Sequence, residues 1–253
     1  MIRVKYRGRL GNNLFQYSLG RLIAHRMNYF LDAPTINGIP GTFDHVGGIH
    51  NGKEELFRIT EETEDIWSAA GEAFRNKQSI LLDGWFQKQS YYFPFRDKMK
   101  KWLQLPRLYK QSPHDVIIHV RLGDYCRHRN RMLVFEYYEK ILCNLLEWDN
   151  CFICTDGMAD HKFIKLFKKF NPIICNGTDT QMLQFIMGFN NIILSASTFG
   201  WWGAFLSDAQ KIFIPETTER GFWHEGKKTR LSPDNNDNYT IIKDVPVIKE
   251  FKC

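Results

Sequence analysis

The run Val116-Ile117-Ile118-His119-Val120-Arg121-Leu122-Gly123-Asp124-Tyr125 sets an imidazole, a guanidinium and a carboxylate directly behind a short apolar stretch. A β-branched run bounded by turn residues reads as a buried parallel strand. Open α/β sheets bind ligands just beyond the carboxyl ends of such strands. Arginine clamps phosphate through two parallel hydrogen bonds and never loses its charge. Arg121 with His119 therefore fits recognition of a phosphate-bearing ligand. The same residues also fit an ordinary strand end whose His and Arg meet solvent or surface acids.

A second run, Ser195-Ala196-Ser197-Thr198-Phe199-Gly200-Trp201-Trp202, has the form of a strand end, a hydroxyl-rich turn and a helix start. Unpaired N–H groups and a partial positive charge make a helix N-terminus an anion site, and Ser197 and Thr198 add hydroxyls to it. Simple N-capping, worth about 1 kcal/mol, is the alternative use of those hydroxyls. Helix neighbours lie about 100° apart, which predicts one of Trp201 and Trp202 in the core and the other lining a cleft. The turn Gly8-Arg9-Leu10-Gly11-Asn12-Asn13 is neither G-x-G-x-x-G nor a P-loop, which excludes the dinucleotide fingerprint and Walker-type hydrolysis. No two Asp are separated by a single residue, so a D-x-D metal clamp is absent. A diphosphate would then be neutralised by Arg9, Arg121 and the Ser197/Thr198 turn, a metal-independent route to leaving-group stabilisation.

These residues need a scaffold, and the pattern supplies one. The first segment, Met1 to Tyr6, reads as a strand. After it, Leu14, Phe15, Leu19, Leu22 and Ile23 recur at helical spacing, giving a helix with one apolar face. Residues Ala33 to Asn51 read as loop and Glu54 to Glu72 as partly helical. Ser79–Leu82 is a short strand, and Phe95 to Leu103 a helix. The polar, proline-bounded stretch Pro106 to Pro113 marks a boundary between domains 1–110 and 111–253. Beyond it, strands at 116–120, 151–154, 172–175, 192–196 and 211–215 alternate with helices, which predicts a parallel, doubly wound α/β sheet. Three strand ends then carry ligand-type residues: His119 and Arg121, Thr155 and Asp156, and Ser195, Ser197 and Thr198. They are expected along one sheet edge.

Composition sets bounds. Of 253 residues, 43 % are hydrophobic and 25 % charged, ordinary globular usage that fills a core in each domain. The net charge of +6 is mild and favours anionic small molecules or an anionic membrane surface. The basic residues form no long stripe, which argues against nucleic acid. Their densest group, Arg127, His128, Arg129 and Arg131, reads as a solvated loop or a positive rim to the site. Of the six cysteines, Cys151 and Cys154 form a lone C-x-x-C inside an apolar run; with no second pair they read as buried thiols rather than a zinc site, despite nearby His161. That usage suits a reducing compartment. With no leader or long apolar span visible, the expected location of this chain is cytoplasmic, with peripheral membrane association left open.

Four blocks together resemble the α-1,2-fucosyltransferases of glycosyltransferase family 11 and, more distantly, the α-1,6- and protein O-fucosyltransferases. Gly8–Tyr17 (G-R-L-G-N-N-L-F-Q-Y) looks like G-G-L-G-N-Q-x-F-Q-Y, and Gly84–Phe93 looks like G-Y-F-Q-S-E-K-Y-F with one extra residue. His119–Tyr125 looks like H-x-R-R-G-D-Y, and Ser195–Leu206 matches much of A-N-S-T-F-S-W-W-G-A-x-L. The resemblance implies a GT-B-type fold, two Rossmann-like domains facing across a cleft, with GDP-β-L-fucose held by the carboxyl-terminal domain and the glycan acceptor mainly by the other. It implies inverting transfer of fucose to a hydroxyl, such as O2 of a terminal galactose, with no cofactor and no divalent metal.

By the same resemblance Arg121 would stabilise the departing phosphate and His119 would contact the nucleotide. Arg9, Gly11, Asn12, Asp156, Ser197, Thr198 and Phe199 would bind the donor. Asp124, Trp85 and Gln87 are candidates for acceptor contact or for local structure. Two departures stand out: Leu122 replaces the second Arg of H-x-R-R, and Met182 falls where the family has an acidic residue, with Asp179 the closest carboxylate. No general base is assigned. The competing readings are a GDP-sugar transferase of other sugar or linkage, and a non-catalytic nucleotide-sugar or glycan-binding protein.

Overall fold

A computed structural model describes residues 1–43, 46–48, 56–108, 112–126, 132–217, 230–233 and 236–248. The chain divides into two compact units, one built from Met1–Leu105 and the other from Pro106 onward.

The first unit contains β1 (Ile2–Val4), α1 (Leu10–Met27), β2 (Leu31–Asp32), β3 (Leu56–Ile59), α2 (Ile66–Arg75), β4 (Ser79–Leu82) and α3 (Arg96–Leu103). All strands are parallel, in the order β2-β1-β4-β3. Helix α1 is buried continuously from Leu14 to Ala24, not on one face alone. Its polar residues account for the difference. Gln16 donates to the Gly84 carbonyl (3.0 Å), and Arg21 donates to Gly41 O (2.7 Å) and Tyr17 Oη (2.9 Å). These internal hydrogen bonds let the polar flank be covered. A Cβ at Gly20 would lie 2.6 Å from Val4 Cγ2, so α1 rests directly on β1. Asn28, left-handed at φ 52°, ends the helix. The acidic segment holds strand β3 before helix α2, whose start is capped by the Asp65 carboxylate accepting from the N–H groups of Trp67 and Ser68.

The second unit contains β5 (Val116–Val120), α4 (Phe135–Lys140) running into a π-helical turn (Ile141–Leu145), β6 (Cys151–Thr155), α5 (Lys162–Lys165) running into a 3₁₀ turn (Leu166–Phe170), β7 (Ile173–Cys175), α6 (Asp179–Ile186), β8 (Asn191–Ile193), α7 (Thr198–Leu206), β9 (Lys211–Thr217) and β10 (Tyr239–Val245). The sheet is parallel throughout, in the order β7-β6-β5-β8-β9-β10. Counted along the unit, this is the 3-2-1-4-5-6 order of doubly wound nucleotide-binding folds, with the winding reversed between β5 and β8. Every residue of β5 is buried, as a central strand covered on both faces must be.

One reading is corrected here. Trp201 and Trp202 are both fully buried, so neither lines a cleft. Their rings meet edge-on at 5.2 Å, and Trp201 stacks on Phe205 at 4.7 Å, so α7 is apolar all round and lies inside the unit. The paired thiols Cys151 and Cys154 are buried and free, with burial pushing the Cys151 thiol up to about 12.

Candidate functional site

The reversal between β5 and β8 brings the loop after β5 beside the start of α7. His119, next to last in β5, is buried, and its Nδ1 lies 2.8 Å from Ser195 Oγ. A Cβ on Gly200 would come within 3.0 Å of the imidazole, so the glycine at that turn of α7 is what lets the ring fit. Phe199 packs against the same ring, ring centroids 5.6 Å apart. Burial pushes His119 from 6.5 down to about 4, with Asp156 raising and Arg121 lowering it. The imidazole is therefore neutral at physiological pH.

Arg121 is held by two carboxylates. Its Nη2 donates to Asp124 Oδ1 and its Nη1 pairs with Asp156 Oδ2, each at 2.6 Å. The guanidinium also sits 5.3 Å from the Tyr125 ring centroid. The two acids differ. Asp156 also accepts from the Leu122 N–H (2.8 Å), and its carboxylate fills the space a Cβ on Gly123 would need. It thus pins the 121–124 loop to the end of β6. Asp124 is more open, with 39 % of its side chain exposed.

The turn before α7 is tied down by tyrosines. Tyr137 donates to Leu194 O (2.9 Å) and Tyr125 to Ala196 O (3.0 Å), while Tyr138 is in polar contact with Ser195. Ser197 is the N-cap of α7, but its side chain makes no cap hydrogen bond, so simple capping is not how its hydroxyl is used. Ser197 and Thr198 are largely covered. The roles of Ser195 and the tyrosines were not assigned from sequence. Ser195 lies at an expected strand end, but only the pairing of β5 with β8 brings its hydroxyl to His119.

Met182 contacts Gly177 in the first half of α6, where the Thr178–Gln181 capping box and Asp179 set the helix start. Asp179 is thus accounted for by the helix terminus. The basic group Arg127, His128, Arg129 and Arg131 lies outside the described residues. Among the described residues, no cluster of three His, Cys, Asp or Glu side chains is arranged to hold a metal. No helix among them is long and apolar enough to cross a membrane.

The remaining predicted residues belong to the first unit. The central strands of its sheet are β1 and β4, which lie side by side. There the Gly8–Tyr17 and Gly84–Phe93 blocks meet. Gln87 Nε2 donates to Asn12 Oδ1 (2.9 Å), and Gln16 bridges the Arg7 N–H to the Gly84 carbonyl. Gly8, at φ +78°, approaches the Trp85 ring; a Cβ there would lie 3.0 Å from Cζ3. Arg9 is exposed at the N-cap of α1, Gly11 is buried and Trp85 is exposed. The sequence-predicted residues thus form two groups, one at the central strand ends of each sheet.

No curated protein matches the chain. The model of glycosyl transferase family 11 matches residues 53–231, a span that takes in the Gly84, His119 and Ser195 blocks but begins after the Gly8 block. An arginine-bearing strand end beside a hydroxyl-rich helix start, on a nucleotide-type sheet, is what that match leads one to look for, and the chain belongs to glycosyl transferase family 11, the fucosyltransferase family.

Proposed function

We propose that the protein transfers L-fucose from GDP-β-L-fucose to a hydroxyl of a galactose-containing glycan, such as O2 of a terminal galactose, with inversion and without a metal ion. The observation that carries this reading is the position of Arg121, directly after β5 where the sheet reverses, on the loop that Tyr125 ties to the turn opening α7, the helix that starts at Ser197 and Thr198. The second unit holds the donor. The first holds acceptor contacts, with Trp85 and Gln87 as candidates, in a GT-B-type division of labour.

The chemistry follows from charge. As the glycosidic bond breaks, electrons flow to the β-phosphate oxygen and positive charge grows at fucose C1 and the ring oxygen. Arg121 and the N–H groups opening α7 stabilise the departing GDP, each such donor being worth about 3–4 kcal/mol in a transition state. Asp156 keeps Arg121 aimed. Asp124, the more exposed partner, gives up Nη2 to the incoming phosphate. Neutral His119 offers a hydrogen bond to the nucleotide without adding charge. The acceptor oxygen attacks from the opposite face, its proton passing to water, and gives an α-fucoside.

The test is GDP release from GDP-fucose in EDTA, with and without lactose. Acceptor-stimulated release, lowered at least about 100-fold by Arg121→Ala, is the expected result. Near-wild-type turnover in that variant removes the assignment. Donor binding with no release, even the slow hydrolysis an enzyme shows without acceptor, favours a non-catalytic binder.

A further inference from the structure

The central strand ends of the first unit carry more positive charge than the fold there uses. Asp83, just after β4, is buried, and three cations converge on its carboxylate: Lys5 and Arg7 from the segment after β1, and Arg58 from β3. Burial by itself would raise the Asp83 pKa. The charges of Arg7, Lys5 and Arg58, with a hydrogen bond from Arg58, hold it below its ordinary value. One carboxylate is satisfied by one guanidinium fork. Here Arg7 and Arg58 each reach it through Nη2, Lys5 reaches it at 3.5 Å, and the three side chains remain 37 %, 58 % and 57 % exposed respectively. A guanidinium has five donors, so most of this donor capacity faces outward. Among the described residues Glu61, whose carboxylate lies against Gly84, is a further acid here; with Asp83 it balances two of the three cations. Beside it, held over Gly8 and one residue from Arg7, is the exposed indole of Trp85, a flat apolar surface suited to a sugar ring.

We propose that Lys5, Arg7 and Arg58 form a subsite for an anionic substituent of the acceptor, a carboxylate, sulfate or phosphate carried on a sugar that stacks on Trp85. The acceptor is then an acidic glycan rather than a neutral one. This rests on the fucosyl-transfer reading for its catalytic consequence, though not for the binding itself.

The experiment compares lactose with lactose 3′-sulfate and 6′-sulfate, both as acceptors with GDP-fucose and as ligands in equilibrium binding by calorimetry. Wild-type protein should prefer a sulfated galactoside, and the preference should shrink as salt is raised. In the Lys5→Gln/Arg58→Gln double variant the ratio of kcat/KM, sulfated over neutral, should fall about tenfold. Arg3→Gln, which removes a cation paired with Asp32 outside the group, should leave the ratio as it is. Lys5→Gln alone, at the longest of the three contacts, gives a smaller fall and covers the case in which the double variant does not fold. A ratio that does not move, or a wild-type preference for lactose, overturns the proposal. If no galactoside is fucosylated, the transfer reading fails instead. Calorimetry then decides the subsite: tighter binding of a sulfated galactoside, lost in the variants, sustains it, and equal binding of both sugars ends it.

Discussion

A neutral, buried His119 makes stability depend on pH in a defined window. Its pKa lies at about 4 in the folded protein against 6.5 for an ordinary imidazole. As pH falls below about 6.5 the unfolded chain takes up a proton that the native imidazole refuses until about pH 4. Native stability therefore falls with pH across that window and loses nothing further to this residue below it. The slope approaches one proton, about 1.4 kcal/mol per pH unit, and the full cost is about 3 kcal/mol. His119→Asn removes the titration while keeping a polar atom near Ser195 Oγ. Denaturant unfolding of both proteins between pH 7.5 and 4, followed by the near-ultraviolet signal of buried Trp201 and Trp202 in the same unit, isolates the residue. Other groups, such as His161, titrate alike in both and cancel in the difference. The stability gap between wild type and variant should move against wild type by about 3 kcal/mol on acidification. Parallel pH profiles, or an imidazole NMR titration of His119 near 6.5, would refute the reasoning.

Two further outcomes follow from the same contacts. Asp156→Ala leaves the Leu122 N–H without its 2.8 Å partner and releases one side of Arg121. Turnover should drop about tenfold or more with stability down by about 1–3 kcal/mol, read by steady-state kinetics and chemical unfolding; unchanged turnover would mean that Asp156 does not aim Arg121. Asp83→Asn should cost about 1–2 kcal/mol at pH 7, less than a fully buried pair because the cations stay partly hydrated. Since the native Asp83 pKa is depressed, its contribution is present above the ordinary carboxylate range and is lost as pH falls through the native value. The two unfolding curves should thus converge in acid, and a gap that persists there would refute the linkage.

The sheet of the second unit was legible because its strands are central. Buried on both faces, they are continuous apolar runs, and the turn residues that end them stand out, as Val116–Val120 does. Three strands escaped reading: β2, only two residues long, β3 and β10. In β3, Arg58 interrupts the run because it reaches out to Asp83. In β10, an edge strand, most side chains are exposed and the apolar signal is thin. In the site, residues that speak through their own chemistry, such as His119, Arg121 and Asp156, could be picked out from the sequence. Ser195 could be placed at a strand end, but its contact with His119 depends on β5 and β8 lying side by side, and Tyr137 could not be singled out, because it reaches the Leu194 carbonyl from helix α4.

Leu122 shows how the loop and the charge pattern constrain one another. Where the family motif has a second arginine, this side chain is buried, and a Cβ on Gly157 would lie 2.7 Å from its Cδ1. The Leu122 N–H is held by Asp156, which fixes the backbone with the Leu122 side chain inward, while Arg121 pairs with Asp124 and Asp156. With this loop, an arginine at 122 would place an unpaired cation in the interior, at a cost that outweighs any gain in phosphate affinity. The motif therefore delivers one guanidinium to the strand end. In the proposed reaction the remaining charge is supplied by the fixed dipoles opening α7, and the turn before that helix is held in place by Tyr125 and Tyr137 through the carbonyls of Ala196 and Leu194. Rigid backbone donors cost no reorganisation when charge develops, so the proposed phosphate site rests on a single arginine backed by a clamped helix start rather than on a pair of mobile arginines.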